Sequence, residues 1–431
     1  MGNMFDTLRN AFRIKDLRQK LFFTLFALLI YRLGTQVPVP GIDAIAFSNL
    51  VNRFGQLGSF MDIISGGAFK QVSIFALGIQ PYINSSIIIQ LLTVAIPYLK
   101  NLSEEGEEGR KKLQQITRYV TVGLALLMSF FYWYGTRGAA STALPNWINA
   151  IMVMLSFTAG SAFVMWLGEQ INDRGIGNGI SILIGIGIIS RLPSMIVQLY
   201  YTFLNWTASR NVVLAVLGVI FVIAVFLFII ALVVFISSSE RRIPVQYAKK
   251  VVGRKIYGGQ SSYLPIKVNQ SGVLPVIFAV SVMVMPATIA SFTGGQGPVA
   301  QFFLNFDRNP LYYIIYAVLI FAFTFFYSSI SFNPVEIANN IQKNGGFIPG
   351  IRPGKPTADF IRETANRLSW FEALFLVFIV ILPSVLSFFT KTSSALWFGG
   401  TAVLIVVGVA LDMINQLEAQ MMMRHYKGFL D

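Results

Sequence analysis

The stretch FMDIISGGAFKQVSIFALGIQPYINSSIIIQLLTVAIP, residues Phe60 to Pro97, decides how the rest of the chain is read. It opens with a short amphipathic piece, Phe60 to Phe69, interrupted by the Gly66–Gly67 pair. A charge-free run from Gln71 to Leu99 follows, long enough to cross a bilayer, which takes ~20 mostly apolar residues. Inside that run Pro81 is expected to remove a helix hydrogen bond, and Asn84, Ser85, Ser86 and Gln90 carry polar groups to membrane depth. Ile79 and Ile83 stand one helical turn apart and share a face. A plain lipid-facing anchor needs none of these features. The stretch reads as the wall of something that moves.

Outward from it, the chain is apolar almost throughout. Of its 431 residues 55% are hydrophobic and 12% charged, with mean hydropathy +0.65; a soluble protein carries about twice that charge. Uncharged runs recur along the whole length, which makes this a polytopic membrane protein and not a soluble domain with a tail. The 38 Phe suit lipid-facing and interhelical packing. With no Cys there are no disulfides and no thiolate chemistry or ligation, and with His425 as the single histidine, metal sites and His-based acid–base catalysis are disfavoured. No cofactor is expected. The basic, amphipathic N-terminus MGNMFDTLRNAFRIKDLRQK lacks a small-residue cleavage site and reads as a helix on the membrane surface.

Charge-free runs define ten spans: Leu21–Leu33, Ile74–Ala95, Tyr119–Thr136, Trp147–Gly168, Asn178–Leu199, Val212–Ser237, Val273–Phe292, Leu311–Phe332, Ala373–Thr390 and Ala395–Leu411. Ten spans put both termini on one side. The segments on that side (1–20, 100–118, 169–177, 240–267, 333–368 and 412–431) hold 25 of the 33 Lys and Arg, so the net charge of +14 sets topology and the termini are expected in the cytoplasm. Five spans precede the loop at 240 and five follow. Pro81 and Pro275 fall early in the second and seventh. Halves of odd span number are inverted relative to each other, a frequent channel and transporter plan.

Two loops on the cytoplasmic side are long. Glu240 to Lys267 (ERRIPVQYAKKVVGRKIYGGQSSYLPIK) alternates like a basic hairpin turning at Gly258–Gly259. Asn333 to Leu368 has a Gly/Pro-rich tip followed by a helical pattern. Such loops hold topology at the least, but their length and basic tips suit docking of a large acidic or RNA-bearing partner.

No active site is visible. Span interiors hold almost no carboxylates, Glu169 and Asp412 lying at cytoplasmic ends, whereas ion-coupled carriers need intramembrane ionisable groups. There is no phosphate loop, and the run GIGNGISILIGIGI (Gly175 to Ile188) reads as close helix packing through small residues. Ile79/Ile83 and Ile180/Ile184 are each i,i+4 pairs, which alone say only lipid or core.

The stretches PVPGID (38–43), SGGAFKQVSIFALGIQPYINSSIIIQLLT (65–93), EEGRKKLQQITRY (107–119), LGEQINDRGIGNGISI (167–182), PIKVNQSGVLPVIFA (265–279), GFIPGIRPGKPTA (346–358) and FGGTAVLIVVGVALD (398–412) together resemble the SecY family of bacterial protein-conducting channels, from about Phe12 to Gly428. The resemblance implies an all-α polytopic membrane protein, ten transmembrane helices in two inverted five-helix halves around a central hourglass pore. It implies a passive channel in the bacterial plasma membrane, not an enzyme, with ATP hydrolysed by a partner. By motif match the pore ring is Ile79, Ile83, Ile180, Ile184, Ile277 and Ile405. The plug spans Phe60 to Lys70 and includes Phe60, Asp62, Ile63, Ile64, Gly66 and Gly67. The lateral gate, between spans two–three and seven–eight, has Asn84, Gln90 and Ser281 nearby. Arg241, Arg242, Lys249, Lys250, Arg254, Lys255 and Arg352 match the surface that docks the SecA motor ATPase or the ribosome. Further partners implied are SecE and SecG-type small subunits, signal peptides, unfolded preproteins and membrane lipids.

The resulting division is 1–20 N-terminal segment, 21–200 first half with the plug at 60–70, 201–239 sixth span, 240–267 loop, 268–332 spans seven and eight, 333–368 loop, 369–415 spans nine and ten, and 416–431 tail. A small-solute secondary transporter is the alternative and requires a buried ionisable residue at a saturable site; a membrane enzyme lacks catalytic groups.

Overall fold

In a computed structural model of the chain the described residues are 9, 12–43, 47, 62, 65–135, 145–209, 212–247, 250–252, 255–257, 261–292, 297–304, 306, 309–390 and 400–427. The first half contains α1 (Lys15–Gly34), α2 (Gln80–Ala95), the short α3 (Pro97–Glu104), α4 (Glu107–Gly135), α5 (Asn146–Arg174), α6 (Gly179–Ile189) and α7 (Leu192–Ser209). The second contains α8 (Val212–Ser237), α9 (Leu274–Phe292), α10 (Pro298–Leu304), α11 (Pro310–Ser331), α12 (Pro334–Lys343), α13 (Lys355–Thr390) and α14 (Gly400–Lys427). Among the described residues seven helices are long and apolar enough to cross a membrane. There are eight if α2 and α3, bent by 101° at Ile96, count as one. Helix α1 carries Lys15, Asp16, Arg18 and Lys20 in its first turns and falls short of that count; in α9 the described apolar run is Leu274–Pro286.

Outward faces are apolar: Phe22, Phe26 and Leu29 on α1, and Val213, Leu217, Ile220, Leu227 and Phe228 on α8, are exposed. Only a lipid solvent makes such a surface stable.

Packing repeats between the halves. Helix α2 lies on α4, α4 on α5, α5 on α6, and α6 on α1; in the same order α9 lies on α11, α11 on α13, α13 on α14, and α14 on α8. The halves meet along two seams. On one side α6 packs on α14 and α7 on α8; on the other α9 packs on α2 and α4.

The second span differs from its expected form. Residues 65–79 are a chain of turns, and the helix begins only at Gln80. Positive φ at Gly66 (+66°), Gly67 (+95°), Val72 (+51°) and Gly78 (+53°) prevents an earlier start. Pro81 therefore sits in the first turn of α2 and removes no hydrogen bond. The turns are pinned from outside: Val39 N–H donates to Val72 O (2.8 Å), Ile74 N–H to Val37 O (3.0 Å), and Ser161 Oγ to Gly78 O (3.1 Å). A second apolar cluster, with Phe47, Phe69, Tyr132 and Phe157, lies beneath them.

The glycine run closes α6 onto α5. A Cβ on Gly179 would collide with the Gly168 carbonyl oxygen, and one on Gly168 with Ile180 Cδ1. Asn178 caps α6 by accepting the Ser181 N–H at 3.2 Å.

The long loops are not separate. β1 (Glu240–Tyr247) pairs antiparallel with β4 (Ser261–Lys267), and its end pairs with the two-residue β5 (Gly346–Phe347) of the other loop. β2 (Lys250–Val252) and β3 (Lys255–Tyr257) form a small tip ladder in which Val252 opposes Lys255; Gly258–Gly259, where the turn was expected, lie outside the described residues. Ile243, Val245 and Ile266 share one apolar core with Ala338, Ile341, Ile348, Ala358 and Ile361. The two loops are one folded unit.

Candidate functional site

All six isoleucines singled out in the sequence lie in one apolar cluster, although they come from four places in the chain. Ile83, Ile184, Ile277 and Ile405 line a common cavity of about 10 Å³, space for at most about one water. Ile79 is buried beside them as the residue that caps α2, and Ile180, half-buried, stands one turn before Ile184 on α6. Ile83 N–H donates to Ile79 O at 3.0 Å, which puts that pair on one face. Gln80, Val276, Val280, Ser281 and Thr401 complete the lining and were not proposed as lining from sequence. The signal for Thr401 was its position one turn before Ile405, and for Gln80 its place between Ile79 and Pro81.

The segment expected to be the plug is described at Asp62 and from Ser65 onward; Phe60, Ile63 and Ile64 lie outside the described residues. Gly66 packs on α6, where a Cβ would lie 2.9 Å from Gly187 Cα. Its carbonyl accepts Arg32 Nη1 at 2.7 Å and Ser190 Oγ at 3.4 Å. Gly67 N–H donates to Asp62 O at 2.8 Å.

At the seam of α9 with α2 and α4, Asn84, Gln90 and Ser281 are half-buried. Their hydrogen bonds do not tie the seam. Ser281 Oγ donates to Ile277 O (2.9 Å) and Gln90 Nε2 to Ser86 Oγ (3.4 Å), each within its own helix, as Ser85 Oγ does to Pro81 O (2.7 Å). Gln90 Oε1 is buried and unpaired. The seam is closed by apolar contact.

Of the basic residues, Arg241 and Arg352 are exposed on the unit formed by the two long loops. Arg242 is exposed but already bonds Glu240 at 2.7 Å. Lys250 and Lys255 lie on the tip ladder, opposite Tyr257 and Val252; Lys249 and Arg254 are outside the described residues. Lys343 and Lys355, exposed on the same unit, add charge that the sequence reading passed over.

Two carboxylates are buried: Asp62, expected as part of the plug, pairs with Arg191, and Glu372 was missed from sequence. Glu372, fully buried on α13, accepts Ser271 N–H (3.0 Å), Ser271 Oγ and Gln270 N–H (3.2 Å). Both are fully engaged by protein donors and neither lines the cavity. No group of His, Asp and Glu fit for a metal occurs among the described residues.

The SecY family model matches residues 73–414. Protein translocase subunit SecY of Streptomyces galbus is 44% identical over 445 residues, covering 99% of this chain and 100% of that protein. A solved structure described as "The structure of a protein conducting channel" superposes with TM-score 0.63 at 20% identity, covering 93% of this chain and 92% of that one. A second, at TM-score 0.62, 18% identity and the same coverage, concerns the plug domain of SecY, described as stabilising the closed state of the translocation channel and maintaining a membrane seal. With the family match spanning most of its length and a relative aligned end to end, this chain belongs to the SecY family.

Proposed function

We propose that the chain is the central, pore-forming subunit of the Sec translocon. It is a passive channel that moves unfolded secretory polypeptides across the bacterial plasma membrane and releases transmembrane segments sideways into lipid. The observation that carries this is the near-dry cavity between the two halves, lined by isoleucines from α2, α6, α9 and α14.

Stiff β-branched side chains offer neither charge nor hydrogen bonds, so a constriction built from them excludes water and ions by dewetting. It also closes around a passing chain of any sequence, because aliphatic contact is indifferent to what it touches. A charged ring would bind some chains and leak ions. The ring in this reading is Ile79, Ile83, Ile180, Ile184, Ile277 and Ile405, and the segment from 60 to 70 is the plug that covers it from outside. The lateral gate is the seam of α2 and α4 against α9, joined without inter-helix hydrogen bonds from Ser85, Gln90 or Ser281. An apolar signal or transmembrane segment gains free energy by leaving through that seam into hydrocarbon, while polar chain continues across.

Energy comes from partners. The exposed Arg241, Arg352, Lys343 and Lys355 on the cytoplasmic unit suit acidic or RNA-bearing bodies, namely SecA and the ribosome. The bias of Lys and Arg places both termini in the cytoplasm. SecE and SecG-type subunits cover part of the apolar exterior.

A single Ile83→Cys in this cysteine-free chain tests the pore. A secretory chain with one cysteine is arrested in transit and the sample oxidised. A disulfide that requires ATP and a signal sequence supports the channel. No adduct at 83, with reaction at control positions on the cytoplasmic loops, overturns it.

A further inference from the structure

The segment read as the plug is fastened by charge. Asp62 is 2% exposed. Its Oδ1 accepts the Lys70 N–H at 2.9 Å, which ties the segment to itself, and its Oδ2 is ion-paired with Arg191 in the turn between α6 and α7. Arg191 is the more open partner, with 24% of its side chain exposed. The Gly66 carbonyl, bonded by Arg32 and Ser190, makes a neutral contact beside this pair.

A carboxylate this buried cannot leave its cation without finding water or going unpaired. The segment therefore cannot move off α6 by small steps. Either the pair stays dry and strong, or it hydrates and both charges are solvated, where an ion pair contributes little. Apolar packing alone would yield gradually; a buried pair releases all at once. Resting on the plug reading, we propose that the Asp62–Arg191 pair is the latch of the channel, and that it sets how strong a signal sequence must be before a polypeptide is admitted. It is a specificity determinant separate from the isoleucine ring.

The test uses Ser65→Cys, since Ser65 is 3% exposed and the chain has no other thiol. Proteoliposomes are treated with a membrane-impermeant maleimide on the outer face, idle or with an arrested preprotein. In parallel, export of a precursor with a weakened signal sequence is measured. Asp62→Asn and Arg191→Gln should each expose the thiol in the idle channel and raise export of the weak precursor by at least roughly tenfold, because removing one partner leaves the other buried charge unpaired. The exchange Asp62→Arg with Arg191→Asp should restore protection and stringency. If arrest exposes the thiol in the parent channel while both single variants stay protected and stringent, the latch is overturned and the plug reading stands. If both singles loosen the channel and the exchange does not restore it, the pairing is overturned. If arrest never exposes the thiol, the plug reading itself fails and the latch with it.

Discussion

The fully buried carboxylate of Glu372 grips both the backbone N–H and the hydroxyl of Ser271, across from α13 to the linker between β4 and α9. The same linker is held by Gln270 N–H to Glu372 and by Ser328, which bonds Gln270 Oε1 at 3.4 Å and Ser369 at 2.8 Å. The unit built from the two long loops and α9 are thus joined through a fixed knot. Glu372→Ala strands these buried donors, at about 1–3 kcal/mol each. Detergent-solubilised protein should unfold at lower denaturant, with Glu372→Gln, which keeps one acceptor oxygen, falling between. Wild-type unfolding of the alanine variant would mean the knot is not structural.

Ile405→Asn puts an amide into the apolar cavity beside Ile83, Ile184 and Ile277. An amide draws water where the aliphatic lining repels it. Ion conductance of the idle channel should rise and weak signal sequences should be exported better, read by planar-bilayer current and by translocation yield. Unchanged current and yield would remove Ile405 from the constriction.

Arg352→Glu should abolish partner-driven transport while leaving the protein inserted, because Arg352 is exposed and, among the described residues, only its backbone oxygen is engaged, by Thr357 at 2.8 Å. Arg242→Ala should cost far less, since that guanidinium is partly neutralised by Glu240. The check is ATP-dependent transport of one preprotein into vesicles. Equal losses from the two variants would mean that local pairing does not decide which charges dock.

Gly179→Ala should loosen the α5–α6 contact, since the new methyl meets the Gly168 carbonyl, a backbone atom with no room to retreat. The expected loss is about 1–3 kcal/mol, measured by unfolding in mixed micelles. Gly123→Ala, where a Cβ meets nothing within 4 Å, serves as the control.

The helices were legible because lipid imposes a simple rule, ~20 apolar residues per crossing; each of the ten expected spans overlaps helix, although Asn178–Leu199 divides into α6 and α7 and seven or eight described helices meet the length and apolarity needed to cross. Their starts were harder. Pro81 looked like an interruption because the charge-free run begins at Gln71, but the positive φ of Val72 and Gly78 moves the helix start to Gln80. The isoleucine cluster had no local signal: isoleucine is common in any membrane helix, and only three-dimensional convergence of α2, α6, α9 and α14 distinguishes these. Alternation exposed Ile243 and Val245 as the inward face of β1, yet β5, two residues long, carries no pattern of its own. Asp62 was expected only as one residue of the plug, and nothing in the sequence linked it to Arg191, 129 positions on, until folding brought them together.

The union of the two loops through β1 and β5 has a mechanical side. Every helix covalently continuous with that unit, α8 and α9 through the strands and α11 and α13 through α12 and β5, belongs to the second half. A load placed on that unit therefore falls directly on the second half and reaches the first through the seams of α6 with α14, α7 with α8, and α9 with α2 and α4.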